Sequence, residues 1–308
     1  MNVIVVGCGA LGSLLAFKMV RAKIPVRVLQ RKGAQYDALK AGGIRYIDRE
    51  GRIERVFCEV VPNLDGIESV DLALITVKAY QTEEAASVLR GRLSENGVAL
   101  TLQNGLGNAE VLEKTLGAER VAAGICTYGS HRRGPGEIAW GGDGMIRFGP
   151  WENGVDLSRV AALLKQAGIE TVLERDPRQA LWEKVILNAA VNPVSALVRT
   201  RNGVLLESPE TRALVFQLVE EGVQAARCAG EQIETEPMKK LVRSVLEKTA
   251  NNRTSMLQDV ESGRRTEVDA ILGRLLGYAR EKGNRLIRME TLYALIRAIE
   301  TASEKGLG

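Results

Sequence analysis

The spacing of apolar and polar residues changes character near the middle of the chain. In the first half, short apolar runs rich in β-branched residues alternate with stretches of helical periodicity, the pattern of buried parallel strands joined by helices. We predict strands at residues 2–6, 25–29, 70–77, 98–102, 121–127 and 170–173. We also predict a β-hairpin at 44–61 with its turn at Gly51, strands within 136–148 around a turn at 141–144, and a helix at 157–167. The alternation predicts an α/β domain with a Rossmann-type doubly wound sheet.

Helical patterns replace strand patterns after Pro177. Apolar residues recur at heptad-like spacing through 209–229, 237–250, 266–282 and 289–304, which predicts antiparallel helices in a bundle. The polar stretch 174–177 ends in proline and is typical of a domain boundary. We therefore predict an α/β domain over residues 1–174 and an all-α domain over 175–308.

A glycine-rich turn follows the first predicted strand and leads into a helical pattern that extends to about residue 22. It consists of Gly7, Cys8, Gly9, Ala10, Leu11 and Gly12. In a Gly-x-Gly-x-x-Gly turn the first glycine allows the tight bend, the second lets a pyrophosphate approach the backbone, and the third lets the helix pack against the strand. The helix N-terminus offers N–H groups and its positive dipole end to the phosphates. This position favours a dinucleotide site over a purely structural turn.

The end of the second predicted strand favours NADP(H) over NAD(H). NAD sites usually carry a carboxylate there, about 20 residues past the glycine turn, to bind the ribose 2′-hydroxyl. Here the sequence is Gln30-Arg31-Lys32, without a carboxylate. Because a guanidinium binds phosphate through two parallel hydrogen bonds, Arg31 is the candidate contact for the 2′-phosphate. The alternative is a solvated basic turn.

Two further candidates follow later strands. Ligands of doubly wound sheets bind outside the carboxyl ends of the strands, which is where Lys78 lies. Asn104 follows the next strand, in Gln-Asn-Gly-Leu-Gly at 103–107, and can both donate and accept near a nicotinamide. Glycines in this loop would let the chain pass close to a ligand. The alternative for Lys78 and Asn104 is an ordinary solvated turn.

A polar stripe marks the segment 181–196. If this segment is a helix, Lys184, Asn188 and Asn192 lie four residues apart on one face, while most of their neighbours are apolar. A buried ammonium group and two carboxamides are costly unless polar groups face them. We therefore expect the stripe to face a small polar substrate, with partners inside an ordinary core as the alternative. Pro193 indicates a kink or an end of the helix.

Composition narrows the class of protein. The 308 residues are 45% hydrophobic, enough for two domains with cores. The four cysteines form no CxxC pair and lack metal spacing to the single histidine, His131, which suggests reduced thiols in the cytoplasm. A net charge of +4 fits anionic ligands, but the clustered basic and aromatic residues of nucleic-acid binders are missing. We expect neither a signal peptide nor a membrane span. With one histidine, acid–base chemistry would rest on Lys, Glu or Asp.

Polar residues also interrupt the second half at 251–259. After that cluster we predict Thr266 as a helix N-cap, with Asp269 completing a variant capping box. Glu267 would lie in the first turn of that helix, where a carboxylate balances the helix dipole.

Five blocks in order resemble the ketopantoate reductase (2-dehydropantoate 2-reductase) family and span essentially the whole chain. They are GCGALG at 7–12, TVKAYQ at 76–81, QNGLG at 103–107, LWEKVILNAAVNPVSAL at 181–197 and TSMLQDVESGRRTEVDAILG at 254–273. One departure is Asn-Arg-Leu-Ile-Arg at 284–288, where relatives usually have a proline-containing turn before the last helix.

The resemblance implies a fold, an activity and a set of residue roles. The fold is a Rossmann-type domain followed by a helical domain like the C-terminal domain of 6-phosphogluconate dehydrogenase. The activity is the NADPH-dependent reduction of ketopantoate to (R)-pantoate, in the biosynthesis of pantothenate and coenzyme A. Lys184 matches the general acid, and Glu267 matches a residue linked to the lysine and to the cofactor or substrate hydroxyl. Substrate positions match Asn104, Lys184, Asn188, Asn192, Asn202 and Ser255. Cofactor positions match residues 7–12, Arg31, Lys78, Asn104 and Glu267.

Two rival functions stay open. One is an NADPH-dependent reductase on the same fold that acts on another branched 2-oxo acid or on a 3-hydroxy acid. The other is a noncatalytic NADP(H)-binding regulator, which would have no reason to keep the lysine, asparagine, serine and glutamate positions together. The amphipathic last helices suit domain packing and a homodimer interface equally.

Overall fold

The computed structural model describes residues 1–152 and 154–306. Over these ranges, backbone contacts divide the chain into two units. The first unit comprises Met1–Gln103 and Asn108–Pro177. The second begins at Arg178 and also includes the short loop Asn104–Gly107.

The division lies after Pro177, a little beyond the predicted limit at residue 174. Glu174 lies just past the last strand but is still bonded to the sheet, because its N–H donates to the Phe148 carbonyl over 2.8 Å. Its carboxylate also accepts from the Arg147 guanidinium over 2.7 Å. The chain therefore leaves the first unit only at the proline.

A mostly parallel sheet forms the centre of the first unit. Among the described residues it has eight strands: β1 (Val3–Val6), β2 (Val26–Leu29), β5 (Glu59–Val61), β6 (Val70–Ile75), β7 (Leu93–Thr101), β8 (Val121–Cys126), β11 (Ile146–Pro150) and β12 (Thr171–Leu173). Their spatial order is β12-β11-β8-β7-β6-β1-β2-β5. From β5 to β8 all neighbours are parallel, while β11 pairs antiparallel with β8. The strand order reverses at β1, as in a Rossmann-type sheet, so the predicted fold class is confirmed.

Helices flank this sheet because the connections between parallel strands must cross over. They are α1 (Ala10–Arg21), α2 (Ala34–Gly42), α3 (Thr82–Leu89), α4 (Asn108–Leu116) and α5 (Ser158–Gln166). Helix α1 buries Leu14, Leu15 and Phe17 in a core that includes side chains of β1 and β2. This packing holds the residue 7–12 turn at the carboxyl end of β1.

A smaller sheet packs beside α1. Its strands are β3 (Ile44–Ile47), β4 (Ile53–Val56), β9 (Gly129–Gly134) and β10 (Glu137–Gly142), in the order β4-β3-β10-β9. The ring of Phe17 from α1 stacks on Tyr46 of β3 with centroids 4.6 Å apart. This sheet is therefore part of the same core as the glycine turn.

The strand predictions need two corrections here. The predicted 44–61 hairpin is right for β3 and β4, with Gly51 at φ +82°, but β5 leaves it and pairs with β2 in the main sheet. The 136–148 segment contains two strands, but they belong to different sheets. The true partner of β10 is β9, which the apolar pattern missed because Gly-Ser-His-Arg-Arg-Gly contains no apolar alternation.

The second unit is helical. Its helices are α6 (Arg178–Val198), α7 (Val204–Glu207), α8 (Pro209–Cys228), α9 (Thr235–Lys248), α10 (Ser255–Glu261), α11 (Arg274–Glu281) and α12 (Ile287–Glu304). A π-helical turn, Asp269–Gly273, leads into α11. Helix α6 packs against α8 closely enough that a Cβ on Gly222 would lie 2.9 Å from Ile186. The predicted helical patterns are present, but α7 and α10 were not predicted.

Helix α6 continues through Pro193, so of the two predicted outcomes, a kink or an end of the helix, the end is wrong. Pro193 is buried and the helix extends to Val198. Since proline lacks an N–H, the carbonyl four residues earlier, on Ala189, receives no hydrogen bond from it. Tertiary packing on both sides of the helix outweighs that loss.

The predicted capping box at Thr266 is also wrong. The Thr266 hydroxyl does accept from the Val268 N–H, over 3.1 Å. The Thr266 N–H, however, donates to Glu300 of α12 over 2.7 Å, and the Asp269 carboxylate binds Tyr293 and Arg265 instead. The acceptor for the Thr266 N–H is therefore Glu300 of α12 and not the predicted Asp269.

At the 284–288 segment, a side chain from another helix caps the start of α12. The buried Glu221 carboxylate of α8 accepts from the backbone N–H groups of Arg288 and Met289, over 3.0 and 2.9 Å. These are first-turn donors that have no acceptor within their own helix. A carboxylate at a helix N-terminus also opposes the positive end of its dipole.

In the part of the chain that the structure describes, no helix has both the length and the apolar character that a membrane crossing requires.

Candidate active site

The glycine turn of the first unit has two glycines that touch protein and one that faces open space. Gly7 has φ +90°, and a Cβ there would lie 3.0 Å from the Val77 backbone. A Cβ on Gly12 would collide with the Gly7 carbonyl and lie 2.6 Å from the Thr76 hydroxyl. A Cβ on Gly9 would meet nothing within 4 Å. The start of α1 is therefore open beside Gly9, and the free N–H groups at a helix start can bind a phosphate group.

Side chains from elsewhere in the first unit fix the turn. The Cys8 N–H donates to the Gln30 side-chain oxygen over 2.9 Å, and the Cys8 carbonyl accepts from the Gln35 amide over 2.8 Å. The Gln35 oxygen in turn accepts from the Gly136 N–H over 3.0 Å. The Cys8 thiol itself is buried, and burial raises its pKa to about 12. Cys8 therefore anchors the turn and presents no reactive thiolate.

The basic residues after β2 lie on the surface. Arg31 and Lys32 are exposed, while Gln30 turns inward to Cys8. The Arg31 guanidinium forms a 3.3 Å ion pair with Glu84 of α3, and the two side chains are 66% and 54% exposed. An exposed pair of this kind contributes at most about 1 kcal/mol. Arg31 is thus accessible to an anionic ligand at low cost.

Lys78 lies where β6 ends, at the start of a short 3₁₀ turn, Ala79–Gln81, that leads into α3. Gln103, at the end of β7, donates its amide to the Val77 carbonyl and to the Thr82 hydroxyl, each over 2.9 Å. The first bond holds the backbone just before the lysine, and the second holds the Thr82 side chain at the start of α3. Sequence reasoning missed Gln103; the available signal was its position at the carboxyl end of a buried strand.

In the second unit, the predicted stripe lies on α6. Lys184 is partly buried, whereas Asn188 and Asn192 are only 9% and 6% exposed. Buried carboxamides require polar partners, and the three side chains recur at every fourth residue of a regular helix. The stripe is therefore a polar strip on a helix whose other faces join the hydrophobic core.

The loop Asn104–Gly107 binds the segment that follows Thr266. The Asn104 amide donates to the buried Glu267 carboxylate over 3.1 Å, and the Leu106 N–H donates to the Ala270 carbonyl over 3.0 Å. Gly105 has φ +86°, and a Cβ there would lie 2.7 Å from the Ala270 carbonyl carbon. The glycines predicted to pass close to a ligand instead pass close to protein.

The remaining substrate candidates lie near α10. Ser255 is exposed at the first turn of that helix, and Thr254 caps it by accepting from the Leu257 N–H over 3.1 Å. The polar cluster that appeared to interrupt the helical pattern is therefore a helix start. Asn202 is buried and donates its amide to the Thr249 hydroxyl over 2.8 Å, and its own N–H donates to the Asn252 carbonyl over 3.0 Å.

Among the predicted site residues, the structure joins Asn104 directly to Glu267, and it holds Lys184, Asn188 and Asn192 on one helix. A carboxylate that is held by an amide, as Glu267 is, can bind a cation. An ammonium such as that of Lys184 can donate a proton to a carbonyl oxygen on which negative charge develops. The first unit offers an anion-binding helix start and an accessible arginine. Groups of these kinds can bind an anionic ligand and protonate a carbonyl oxygen.

Two protein-family models match this chain. The family model described as ketopantoate reductase PanE/ApbA matches residues 3–153. The model described as ketopantoate reductase PanE/ApbA C terminal matches residues 176–300.

Individual relatives match over nearly the whole chain. The 2-dehydropantoate 2-reductase of Halobacterium salinarum is 33% identical over 299 residues, which is 96% of this chain and 98% of that protein. The 2-dehydropantoate 2-reductase of Archaeoglobus fulgidus is 34% identical over 299 residues, which is 96% of this chain and 97% of that protein.

Solved structures match as well. The PanE/ApbA family ketopantoate reductase from Ralstonia eutropha JMP134 has a TM-score of 0.89 at 28% identity, covering 99% of this chain and all of that one. A D-mandelate dehydrogenase with NADH and anilino(oxo)acetate has a TM-score of 0.93, covering 99% of this chain and 100% of that one. At 20% identity, the second similarity concerns the fold alone.

Proposed function

This chain belongs to the ketopantoate reductase family, and from that premise we propose that it reduces ketopantoate to (R)-pantoate with NADPH. It is an oxidoreductase that takes a nicotinamide cofactor and a small-molecule substrate. The observation that carries the proposal is the polar strip of Lys184, Asn188 and Asn192 on a helix that is otherwise part of the core. The product would serve the biosynthesis of pantothenate and coenzyme A, and the family relation points to a cytoplasmic enzyme.

The first unit would hold the cofactor. The open space beside Gly9 and the N-terminus of α1 suit the pyrophosphate. Arg31 would bind the 2′-phosphate after leaving Glu84, and Lys78 would add a second cation from the end of β6. Bound there, the reduced nicotinamide supplies the hydride.

The second unit would supply the proton and the substrate contacts. As negative charge develops on the keto oxygen, the Lys184 ammonium stabilises it and donates the proton that completes the alcohol. Glu267, itself held by Asn104, would hold the lysine in its charged form. Asn188, Asn192, Asn202 and Ser255 would bind the carboxylate and hydroxyl groups of the substrate without adding a competing charge.

The test is Lys184→Ala. We expect kcat for ketopantoate to fall about 100-fold or more, the size of a lost general acid, with the dissociation constant of NADPH unchanged. Lys240→Ala is the matched control, since Lys240 is an exposed lysine of the same unit. Near-normal turnover in the Lys184 variant, with the protein folded, contradicts the assigned role.

Cofactor choice is tested separately with Arg31→Ala. We expect weaker NADPH binding, about tenfold, with NADH binding little changed, because NADH has no 2′-phosphate for the guanidinium to hold. Arg90→Ala, at another exposed arginine of the first unit, controls for the change in net charge. An unchanged ratio of the two affinities refutes the NADP(H) assignment.

A second candidate is the reduction of a different 2-oxo acid on the same fold. The D-mandelate dehydrogenase that resembles this chain carries anilino(oxo)acetate, a larger oxo acid than ketopantoate. A panel of branched and aromatic 2-oxo acids, followed by the loss of NADPH absorbance, separates the two candidates by kcat/KM. Binding of NADPH without turnover of any acid would indicate a noncatalytic regulator.

A further inference from the structure

The last helix carries a carboxylate that is almost entirely inside the protein. Glu300 of α12 is 5% exposed. An ionised carboxylate in the interior is costly unless hydrogen bonds and an opposite charge replace the lost water. The position of its partners therefore indicates what the carboxylate holds in place.

Those partners lie next to Glu267. One Glu300 oxygen accepts from both the N–H and the hydroxyl of Thr266, each over 2.7 Å. The other oxygen accepts from the Arg297 guanidinium over 2.6 Å. Because the Thr266 hydroxyl also accepts from the Val268 N–H, the backbone is tied on both sides of Glu267.

Two more residues on the same face of α12 contact Asp269, three residues after Thr266. Tyr293 donates its hydroxyl to Asp269 over 2.7 Å, and Arg297 lies 3.8 Å from the same carboxylate. Tyr293, Arg297 and Glu300 follow one another at four and three residues, which places them on one face of the helix. Asp269 begins the π-helical turn, a feature often found at functional sites.

Thr266 and Val268 are 1% and 0% exposed, so bulk solvent does not reach their donors. Breaking one of these bonds would leave a buried polar group unsatisfied, and the segment would shift to relieve it. A shift of about 1 Å at a reacting group is enough to slow an enzyme about 100-fold.

We propose that Glu300 is a positioning residue, which acts through Thr266 to hold the Glu267 carboxylate where the reaction needs it. The inference rests on the proposed function, in which Glu267 holds Lys184. It assigns a positioning role to a buried carboxylate whose hydrogen bonds go to Thr266 and Arg297.

The test uses Thr266→Val, which keeps the shape of the side chain and removes the hydroxyl, and Thr266→Ser, which restores the hydroxyl. With ketopantoate and NADPH we expect Thr266→Val to lower kcat about tenfold and Thr266→Ser to stay within about twofold of the parent. The dissociation constant of NADPH should be unchanged in both. Glu300→Ala removes the acceptor of both Thr266 bonds and should lower kcat at least as far as Thr266→Val. Glu304→Ala, at an exposed glutamate one turn further on, should behave like the parent.

A double-mutant cycle with Glu267→Gln separates positioning from mere stabilisation. If Thr266 acts through Glu267, Thr266→Val should cause no further loss of kcat once Glu267 is replaced. Thermal unfolding of each variant confirms that it is folded, and Thr266→Val serves if Glu300→Ala does not fold. Losses that multiply in the double variant, or a folded Thr266→Val with parental kcat, overturn the positioning role. Failure of the parent protein to turn over ketopantoate overturns the proposed function as well.

Discussion

The turn at residues 7–12 and the loop Asn104–Gly107 both place glycines directly after a strand, but those glycines meet different surroundings. In the first, Gly9 opens onto space that a ligand can fill. In the second, Gly105 and Gly107 face Ala270 and Arg274 of their own unit. A side chain would therefore have room at Gly9, whereas at Gly105 and Gly107 it would collide with the protein itself.

A glycine near a site can make room for a ligand or for the protein's own backbone, and the atoms around it distinguish the two cases. A side chain at Gly9 would compete with a ligand and leave the fold intact. A side chain at Gly105 would compete with protein backbone and displace the loop that carries Asn104. Substitutions at these glycines should therefore separate cofactor affinity from folding and from turnover.

The largest effect is expected for Gly12→Ala. The new methyl group would collide with the Gly7 carbonyl, which is backbone and cannot move aside cheaply. We expect a loss of about 3 kcal/mol or more in the free energy of unfolding of the first unit. Chemical denaturation followed by circular dichroism measures it. Gly42→Ala is the control, because a Cβ at Gly42 meets nothing within 4 Å.

Gly105→Ala should come next. It combines a φ of +86° with contact against the Ala270 backbone, so the loop must shift and weaken the bond from Asn104 to Glu267. We expect a loss of about 1–3 kcal/mol in stability together with a lower kcat. Gly277→Ala in α11 controls for the added methyl group, since a Cβ there contacts nothing. Parental kcat in a folded Gly105 variant would mean that the loop does not position Glu267.

Gly9→Ala should leave stability nearly unchanged and weaken NADPH binding. The methyl group meets no protein atom within 4 Å, but it would enter the space assigned to the pyrophosphate. A forced contact of about 1–3 kcal/mol corresponds to roughly a tenfold or greater loss of affinity, measurable by fluorescence titration. Unchanged NADPH affinity would remove the reason for assigning this loop to the cofactor.

Stability above pH 9 should depend on Cys8, which lies within the first loop but points into the core. Burial raises the pKa of its thiol from 9.0 to about 12. Below pH 9 the thiol is protonated in the folded and the unfolded chain, so it contributes no pH dependence. Between pH 9 and 12 only the unfolded chain releases the proton, and stability falls by up to about 1.4 kcal/mol per pH unit. Cys8→Ala should reduce the slope of stability against pH in this range. An identical slope in that variant would refute the burial of the thiol.

Local patterns were sufficient for the main architecture. Buried parallel strands such as β1 and β6 are apolar along their whole length, so the sheet and the glycine turn follow from short stretches of sequence. The pattern failed for β9, whose residues are polar and glycine, and for α10, whose start is a polar cap. In both, tertiary pairing or capping overrides the apolar period.

The candidate site was only partly predictable, for a similar reason. The strip on α6 follows from the helix period alone. The bond from Asn104 to Glu267 spans 163 residues and the bond from Thr266 to Glu300 spans 34, so no local rule links either pair. The predicted Asp269 cap was wrong because a distant carboxylate competes better than the local one. The roles assigned to the site residues stay predictions.

The membership of Asn104–Gly107 in the helical unit constrains any chimera built from two homologous reductases. A crossover at Pro177 would graft helices from one parent while keeping this four-residue insert from the other. The Asn104–Glu267 bond and the fit of Gly105 against Ala270 would then join residues of different ancestry. Exchanging Asn104–Gly107 together with the helices would keep residues that contact each other from the same parent. Such a chimera needs two crossovers, one on each side of this loop, in addition to the one at Pro177.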